Sequence, residues 1–430
     1  MKIGIFTDAY NPDINGVVTS IKMLEKELKA LGHEVYVFSP SKHTPTENEN
    51  LYMLKSIPLF VAKKFKFRLA TFYSRPIAKE IKELNLDLVH THTEFSLGLF
   101  GKIIARKYNL PFIHTYHTMW EDYMHYVNPI MTDRGIYTKR FARSFSKNFM
   151  KKAECIIVPS RKTQKYLKYK CNVTKPIFVL PTGIDIAPFN INNFNKEDKN
   201  ILKEKYNIKK DDKIILYIGR VAQEKSIDKI VNSFKIVNET IKNTKFVIVG
   251  DGPSISSLKK QVKDLDIEDN VIFVGKINWE DIPKYYNIGD VFVNASLTET
   301  QGLTFIEAMA SSLPIVCMYA KNLSEFITNN KNGLVVKKEI DFAKAIIQVL
   351  TNDNLKSNLI KNGLITAKLN SSQIFGKKLE KIYIQIISNY KHKKLYKDTK
   401  EKNKFLRRNI NKLKLNLFKI NFLNKFKKKG

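Results

Sequence analysis

Short apolar, β-branched segments alternate with longer amphipathic segments along this chain, and the pattern runs twice. The first series of predicted strands is Lys2–Phe6, Glu34–Phe38, Leu86–His90, Phe112–Thr115, Cys155–Val158 and Ile177–Leu180. A polar, Asn-rich stretch over residues 190–200 is the predicted linker. The second series is Lys213–Ile218, Lys245–Val249, Val271–Val274, Val291–Asn294 and Pro314–Cys317. Strands that alternate with helices are typical of parallel sheets. We therefore predict an α/β protein with two Rossmann-like lobes facing across a cleft.

The domain organisation follows from the length and from the end of the second series. A chain of 430 residues fits two domains with separate apolar cores. We predict an N-terminal lobe over 1–188, a C-terminal lobe over 189–370, a helix over 371–390 that crosses back to the N-terminal lobe, and a tail over 391–430. The helix has a predicted apolar stripe of Phe375, Leu379, Ile382, Ile386 and Tyr390. In the tail, apolar residues at helical spacing stand among lysines, which predicts a basic amphipathic helix.

The tail supplies +14 of the net charge of +33. From Lys391 onward there are 16 lysines and arginines against two acidic residues, Asp398 and Glu401. A surface this basic attracts polyanions, which leaves nucleic acid and the anionic face of a membrane open as partners. An AT-rich genome would also raise the lysine content, but it would not explain the shortage of acidic residues.

Cysteine usage and hydropathy indicate a reducing, aqueous compartment. The three cysteines, Cys155, Cys171 and Cys317, form no disulfide framework. The N-terminal apolar run is too short for a signal peptide, and no stretch is long enough to cross a bilayer. We expect a cytoplasmic protein that is soluble or peripheral to a membrane.

Two loops of the second lobe carry residues suited to a phosphorylated ligand. Arg220 and Lys225 follow a strand that ends at Gly219. The planar guanidinium of Arg220 and the flexible ammonium of Lys225 can therefore bind a diphosphate. A solvated loop explains them equally well. The segment beginning at Gly250 is a tight turn after the next strand, where a base or a ribose can approach the backbone, although it also makes sense simply as a turn.

A third segment contains two glutamates on either side of a predicted helix start. Gly302 breaks the chain and a helix begins near Leu303, so free N–H groups and the helix dipole are available to phosphates or hydroxyls. Glu307 is expected in the first turn of this helix, where an acid can also serve only to complement the dipole. Glu299, before the glycine, has no such structural explanation.

These features occur together and in order, and they resemble retaining glycosyltransferases of family 4, which have the GT-B fold. The resemblance depends on Gly219-Arg220 with Lys225, on Val249-Gly250-Asp251-Gly252-Pro253, and on Glu299 and Glu307 separated by seven residues. It covers residues 1–390 and leaves out the tail. It implies a nucleotide-sugar donor.

The resemblance also implies a role for each donor-site residue. Arg220 and Lys225 would bind the diphosphate and stabilise the charge that grows on the leaving group. Glu307 would accept hydrogen bonds from the ribose, and Glu299 would face the sugar hydroxyls. The remaining donor-binding positions would be Gly250, Lys276 and Ile277 near the base, and Gly302, Leu303 and Thr304 at the sugar and phosphate. No cofactor is required, and a divalent metal is not essential, since cations and N–H groups do its work.

The first lobe would contribute a glycine and a histidine to the same donor. Gly16 permits close approach of a ligand and matches the family's glycine at the donor phosphate or sugar. Four histidines, His90, His92, His114 and His117, cluster at predicted strand ends, but their spacing fits no common zinc pattern. By resemblance, His117 faces the donor sugar, and the implied catalytic set is His117, Glu299, Arg220 and Lys225.

The acceptor is inferred from a segment that interleaves cations with aromatic and aliphatic residues, Ile57–Ala70. This composition suits a helix or loop in a membrane interface, and a core-facing amphipathic helix is the alternative. The predicted membrane contacts are Lys63, Lys64, Phe65, Lys66, Phe67 and Arg68. With the segment at 114–123, the chain looks like bacterial diacylglycerol glucosyltransferases. That likeness implies UDP-glucose as donor, 1,2-diacylglycerol as acceptor, and peripheral association with the inner face of the cell membrane.

Two other functions remain open from the sequence. One is a transferase that acts on a capsular or other soluble glycan. The other is a nucleic-acid-binding protein on a degenerate transferase scaffold, since basic and aromatic residues also suit single-stranded nucleic acid. No nucleic-acid partner is expected, because both basic segments flank a transferase pattern. Glucose and galactose are not distinguished.

Overall fold

The computed structural model describes residues 1–10, 16–40, 50–62, 65–119, 135–296, 302–320, 323 and 326–396, with the side chains of 58–62, 65–67 and 135–138 left undescribed. Within these ranges no helix combines the length and apolar character needed to span a bilayer. The chain divides into unit 1, Met1–Leu180 with Lys377–Gly430, and unit 2, Pro181–Gly376. The divisions therefore fall before residue 188, where we placed the first boundary, and within the predicted helix at 371–390.

Unit 1 is built on a parallel sheet with the strand order β3-β2-β1-β6-β7-β8-β9. Its strands are β1 Lys2–Phe6, β2 Glu34–Pro40, β3 Leu51–Leu54, β6 Leu88–Thr91, β7 Phe112–Thr115, β8 Cys155–Val158 and β9 Ile177–Val179. Its helices include α1 Gly16–Ala30, α2 Arg75–Glu83, α3 Ser96–Lys107, α4 Gly135–Met150 and α5 Arg161–Lys165. The chain winds outward from β1 in one direction and from β6 in the other. The change of direction between β1 and β6 is the place where open parallel sheets bind ligands.

The core of unit 1 shows why continuous apolar runs become central strands. β1 and β6 are buried along nearly their whole length, since helices cover both faces of a parallel sheet. Phe6 of β1 stacks on Phe38 of β2 with ring centroids 4.4 Å apart. The same ring meets Phe100 of α3 edge-on at 5.9 Å. These contacts fix α3 against the centre of the sheet.

Unit 2 repeats this plan with the strand order β12-β11-β10-β13-β14-β15. The strands are β10 Lys213–Ile218, β11 Thr244–Val249, β12 Val271–Gly275, β13 Val291–Asn294, β14 Ile315–Met318 and β15 Leu334–Val336. The helices are α6 Lys196–Lys205, α7 Ile227–Thr240, α8 Ile255–Asp264, α9 Ile282–Ile288, α10 Leu303–Ala310, α11 Ile340–Thr351 and α12 Asp353–Leu369. Alternate β10 residues enter two cores, Ile215 and Tyr217 on one face and Ile214 and Leu216 on the other. Here the winding reverses between β10 and β13.

The segment that we predicted as a helix or loop in a membrane interface is instead an antiparallel β-hairpin of β4 Ser56–Ala62 and β5 Phe65–Ala70. Arg68 donates from Nε to the Ser56 hydroxyl at 2.8 Å and from Nη2 to the Ser56 carbonyl at 2.7 Å. The alternation of apolar and cationic residues therefore reflects the two-residue period of a strand. Lys63 and Lys64, with the side chains of Phe65, Lys66 and Phe67, lie outside the described residues.

The predicted linker over 190–200 is part of the folded body of unit 2. Phe189, just before it, is fully buried in a core of unit 2. Asn195 begins α6 with a capping box: its side chain accepts from the Asp198 N–H at 2.8 Å, and the Asp198 carboxylate accepts from the Asn195 N–H at 2.9 Å. The polar residues that suggested a linker therefore cap a helix.

The last described helix, α13, covers residues 372–396, and its C-terminal part belongs to unit 1. Tyr383 is fully buried, whereas Ile382, which we predicted in the apolar stripe, is half-buried. Two polar contacts attach this helix to unit 1, from Glu380 to His33 at 2.9 Å and from Lys393 to Glu154 at 2.8 Å. The tail beyond residue 396 lies outside the described residues, so its amphipathic helix stays a prediction.

Close backbone contacts hold the ends of β10, β11 and β12 together. Three hydrogen bonds link them: Gly219 N–H to Val249 C=O at 3.0 Å, Val221 N–H to Asp251 C=O at 3.0 Å, and Gly250 N–H to Gly275 C=O at 2.9 Å. A Cβ at Gly250 would lie 1.9 Å from the Gly219 carbonyl oxygen, and one at Gly252 would lie 2.1 Å from that of Val221. Only glycine at these positions lets the loops approach so closely.

We expect Gly250→Ala to destabilise unit 2 far more than the matched change Gly275→Ala. Both glycines have positive φ, 136° and 83°, but a Cβ at Gly275 meets no described atom within 4 Å. Gly275→Ala should lower the free energy of unfolding by about 1–3 kcal/mol, through backbone strain alone. Gly250→Ala should add a clash with the backbone, so that the loss exceeds about 4 kcal/mol. Urea denaturation followed by circular dichroism measures both. Equal losses would show that the close contact is not required.

Candidate active site

The carboxyl ends of β10 to β13, with the loops that follow them, form what we call the unit 2 edge. In the loop after β10, the Arg220 side chain is 67% exposed and its Nη1 lies 3.6 Å from an exposed Glu224 carboxylate. The Tyr217 hydroxyl donates to the Arg220 carbonyl at 2.9 Å, which anchors the backbone beneath it. Exposed ion pairs contribute little to stability, so Arg220 can exchange Glu224 for an anionic ligand at small cost. Lys225, half-buried, lies in the same loop.

The loop after β13 is joined to this cationic loop. The Ser296 N–H donates to the Asn294 side chain at 2.8 Å, and its hydroxyl donates to the Glu224 carbonyl at 3.4 Å. The following residues, 297–301, are outside the described part, and they include Glu299. The predicted role of Glu299 therefore stays a prediction.

The predicted helix start after Gly302 is confirmed. Gly302 has φ 59°, and α10 begins at Leu303. The first N–H groups of a helix have no partner within it, so those of Leu303 and Thr304 are oriented to receive acceptors. The helix places positive charge density from its dipole at this end, which suits an anion or a hydroxyl-rich group.

Glu307 lies in the second turn of α10, so the predicted position in the first turn is wrong, and the alternative that it only complements the helix dipole is not supported. Its carboxylate accepts a hydrogen bond from the Tyr286 hydroxyl at 2.9 Å. Tyr286, in α9, is fully buried, and its hydroxyl also lies 3.3 Å from the Thr304 carbonyl. Burial raises the pKa of Glu307, and the Tyr286 hydrogen bond acts in the opposite direction. Glu307 is thus a fixed, partly desolvated acceptor suited to neighbouring hydroxyls.

The remaining donor-site positions lie at the ends of β11 and β12. Gly250 makes the close contact with Gly219 described above. Lys276 is exposed, and Ile277 is half-buried and packs on a core of unit 2. The structure thus brings Arg220, Lys225, Gly250, Lys276 and Ile277 to one edge of one sheet. The flat side chain of Trp279, 56% exposed, follows in the same loop and was not singled out by the sequence.

In unit 1 the corresponding region, which we call the unit 1 edge, contains Asp8 after β1, His92 after β6 and His117 after β7. Asp8 is buried and accepts hydrogen bonds from Thr93 Oγ1 at 2.6 Å, from the Ser96 hydroxyl, and from the Leu97 N–H at 2.9 Å. Burial raises the pKa of Asp8, and these hydrogen bonds partly offset that rise. Asp8 holds the start of α3 to the end of β1, and no local sequence pattern marks it for this role.

The four histidines lie close together, as predicted, and each takes part in hydrogen bonds. His90 contacts Tyr383 Oη and Thr115 Oγ1, each at 2.7 Å, and His114 contacts Thr91 Oγ1 at 2.8 Å and Glu94 Oε1 at 3.3 Å. His92 Nδ1 lies 2.9 Å from His117 Nε2. In the described ranges no three metal-binding side chains are arranged to hold an ion.

Burial keeps the histidines of the unit 1 edge neutral. It lowers the pKa of His117 to about 3, with a smaller contribution from His114. Burial also holds the pKa of His90 and His92 well below the ordinary value. A neutral imidazole offers one N–H and one lone pair, so His117 is suited to hydrogen bonding with uncharged hydroxyls.

Gly16 is the first residue of α1 and is exposed. A Cβ there would meet no described atom within 4 Å, so the packing of the described residues does not require a glycine. The role of Gly16 at the donor stays a prediction, and the adjoining residues 11–15 are outside the described part.

The comparisons with known families cover both units. Residues 14–187 match the family model described as Glycosyltransferase Family 4, and residues 198–365 match the one described as Glycosyl transferases group 1. The chain is 36% identical over 404 residues to the alpha-monoglucosyldiacylglycerol synthase of Acholeplasma laidlawii, with 92% of this chain and 100% of that protein covered. A protein of the same name from Streptococcus pneumoniae is 36% identical over 404 residues, with 93% and 89% covered.

Solved structures share the architecture at lower identity. Sucrose-phosphate synthase from Thermosynechococcus elongatus superposes with a TM-score of 0.61 at 21% identity, covering 90% of this chain and 99% of that one. The Anabaena protein HepE in complex with UDP superposes with a TM-score of 0.64 at 15% identity, covering 90% of this chain and 100% of that one. These likenesses concern the fold alone, and the predicted GT-B class is confirmed.

We expect Tyr286→Phe to raise the pKa of Glu307 further, because it removes the hydroxyl that stabilises the ionised carboxylate. The change should lower the free energy of unfolding by about 1–3 kcal/mol at a pH where the Glu307 carboxylate is ionised, and by less where it is protonated. The matched control is Tyr285→Phe, which removes a hydroxyl paired with Tyr206 at 3.0 Å. Carbon-13 NMR titration of the glutamate carboxyls measures the pKa. If the two variants titrate alike, Tyr286 is not the group that stabilises Glu307.

Proposed function

This chain belongs to glycosyltransferase family 4, and we propose that it is a retaining hexosyltransferase that moves glucose from UDP-glucose to 1,2-diacylglycerol. The product is an α-glucosyl diacylglycerol. The observation that carries this proposal is the 36% identity to the Acholeplasma laidlawii synthase, which extends over 100% of that protein. Because the likeness spans both units, it includes the regions that bind donor and acceptor.

The unit 2 edge supports the donor half of the proposal. Arg220 and Lys225 bind the UDP diphosphate and stabilise its charge as the bond to the sugar breaks. The buried carboxylate of Glu307 accepts hydrogen bonds from the ribose, and Lys276 and Ile277 lie against the base. Glu299 and the N–H groups of α10 at Leu303 and Thr304 hold the sugar.

The reaction needs a proton acceptor but no second carboxylate. The anomeric carbon loses its bond to the diphosphate oxygen and forms a bond to the acceptor hydroxyl oxygen on the same face. The proton of that hydroxyl passes to the departing diphosphate. The family resemblance assigns Gly16 and the neutral His117 of unit 1 to the donor phosphate and sugar, as positioning groups.

We further propose that no metal is needed, because the cations and helix N–H groups of the unit 2 edge supply the positive charge. The sequence contains one Asp-x-Asp triplet, a common metal-binding motif in other glycosyltransferases, at residues 264–266. Asp264 ends α8, and Asp266 has φ 52°, so the triplet forms a helix terminus. Its role is structural.

The function is tested with purified full-length protein, UDP-[14C]glucose and vesicles containing 1,2-diacylglycerol, followed by chromatography of the lipid fraction. We expect label in one glycolipid, released by α-glucosidase but not β-glucosidase, and unaffected by EDTA. Glu299→Ala should abolish transfer, and Glu339→Ala, a surface acid outside the unit 2 edge, serves as the control. Label found only in soluble glycan would favour a transferase that acts on soluble glycans. The absence of transfer together with tight, length-dependent binding of single-stranded RNA would favour a nucleic-acid-binding protein. A parallel UDP-galactose assay tests the donor.

Membrane association is a separate proposal, supported by the charge of the tail. Thirteen of its 16 lysines and arginines follow Tyr396, and each basic residue near an anionic surface contributes about 1 kcal/mol. Truncation after Tyr396 retains the Lys393–Glu154 ion pair. We expect it to reduce salt-sensitive sedimentation with anionic vesicles and to leave turnover on detergent-dispersed diacylglycerol unchanged. Equal sedimentation of both forms would place the membrane contact elsewhere.

A further inference from the structure

A histidine with no assigned role lies directly behind His117. His92 Nδ1 is 2.9 Å from His117 Nε2, and the two ring planes are within 24° of parallel with centroids 5.2 Å apart. His92 is only 2% exposed, whereas His117 is half-buried. His92 is therefore the interior member of the pair and His117 the member nearer the surface.

His92 is held in place from several directions. The backbone N–H of His92 donates to the Phe6 carbonyl at 3.0 Å, which ties the residue to the end of β1. Its ring lies 4.2 Å from the ring of His90. His90 is itself fixed by hydrogen bonds to Tyr383 Oη and Thr115 Oγ1, each at 2.7 Å. A side chain constrained in this way can orient its neighbour.

The unpaired nitrogen of His92 determines where its proton lies. His92 Nε2 is buried and has no hydrogen-bond partner among the residues that the structure describes. A hydrogen bond between two neutral imidazoles needs one N–H and one lone pair. If the His92 proton were on Nε2, a buried N–H would have no acceptor, which proteins avoid more strictly than an unpaired acceptor. The proton therefore lies on Nδ1 and is donated to His117 Nε2.

We propose that His92 is a positioning residue that fixes the tautomer of His117. Since His117 Nε2 accepts from His92, the single proton of the neutral His117 ring must be on Nδ1. The next step rests on the proposed function: His117 uses this Nδ1–H to donate a hydrogen bond to a hydroxyl of the nucleotide-linked sugar. His92 thus acts on the reaction through His117 without touching the substrate.

The test compares two buried side chains of similar size in the full-length protein. In His92→Asn the amide N–H can replace the Nδ1–H donor, whereas His92→Leu has no donor. Nitrogen-15 NMR of histidine-labelled protein reads the tautomer of His117 without any substrate. We expect the Nδ1–H form in wild type and in His92→Asn, and a shift to the Nε2–H form in His92→Leu. An Nε2–H form in wild type, or one unchanged tautomer in all three, would overturn the proposal.

Kinetics and stability complete the test. His92→Leu removes an unpaired buried nitrogen, so its thermal stability should not fall. Its kcat should nevertheless drop about tenfold, as for one lost hydrogen bond, while His92→Asn stays near wild type. Equal kcat for both variants would contradict the positioning role. If wild type transfers no glucose, the proposed function fails, but the NMR comparison still decides the tautomer.

Discussion

The unit 2 edge depends on one steric constraint, the contact between the backbones that follow β10 and β11. Because Gly250 and Gly252 have no Cβ, the carbonyls of Gly219 and Val221 occupy space that any side chain would fill. The loop that carries Arg220 and Lys225 is thereby held by backbone hydrogen bonds. The exposed guanidinium of Arg220 contributes little to folding, so its charge can be used for a ligand.

The strand pattern was predictable because parallel strands buried on both faces are continuous apolar runs. β1, β7, β8, β10 and β13 have the predicted bounds. The edge strands β3 and β15 were missed, although the edge strands β9 and β12 were predicted. The hairpin of β4 and β5 was missed because a two-residue alternation of lysine and phenylalanine also resembles an amphipathic membrane segment. The capping box at Asn195 was mistaken for a linker because the same polar residues suit both.

The candidate site was predictable where a motif combines residues close in sequence, and not where contacts join distant residues. Arg220, Lys225 and Gly302 stand in recognisable local patterns at strand or helix ends. Tyr286 acts through one hydrogen bond to Glu307, and His92 through one to His117. Both bonds join residues far apart in the sequence, so no local pattern predicts them. The burial that keeps His117 neutral is also a tertiary property. The two edges consequently differ in character, with exposed or half-buried cations in unit 2 and neutral imidazoles, buried or half-buried, in unit 1.

The discontinuity of unit 1 has a consequence for biosynthesis. The ribosome completes the whole of unit 2, Pro181–Gly376, before it delivers Tyr383. Until then His90 lacks the hydroxyl that fixes one side of its ring, and the row of histidines behind His117 is incomplete. Unit 2 can therefore fold during translation, while unit 1 acquires its final form only after Tyr383 has been synthesised. A chain terminated between Gly376 and Tyr383 would retain the residues of unit 2 and lack the hydroxyl that contacts His90.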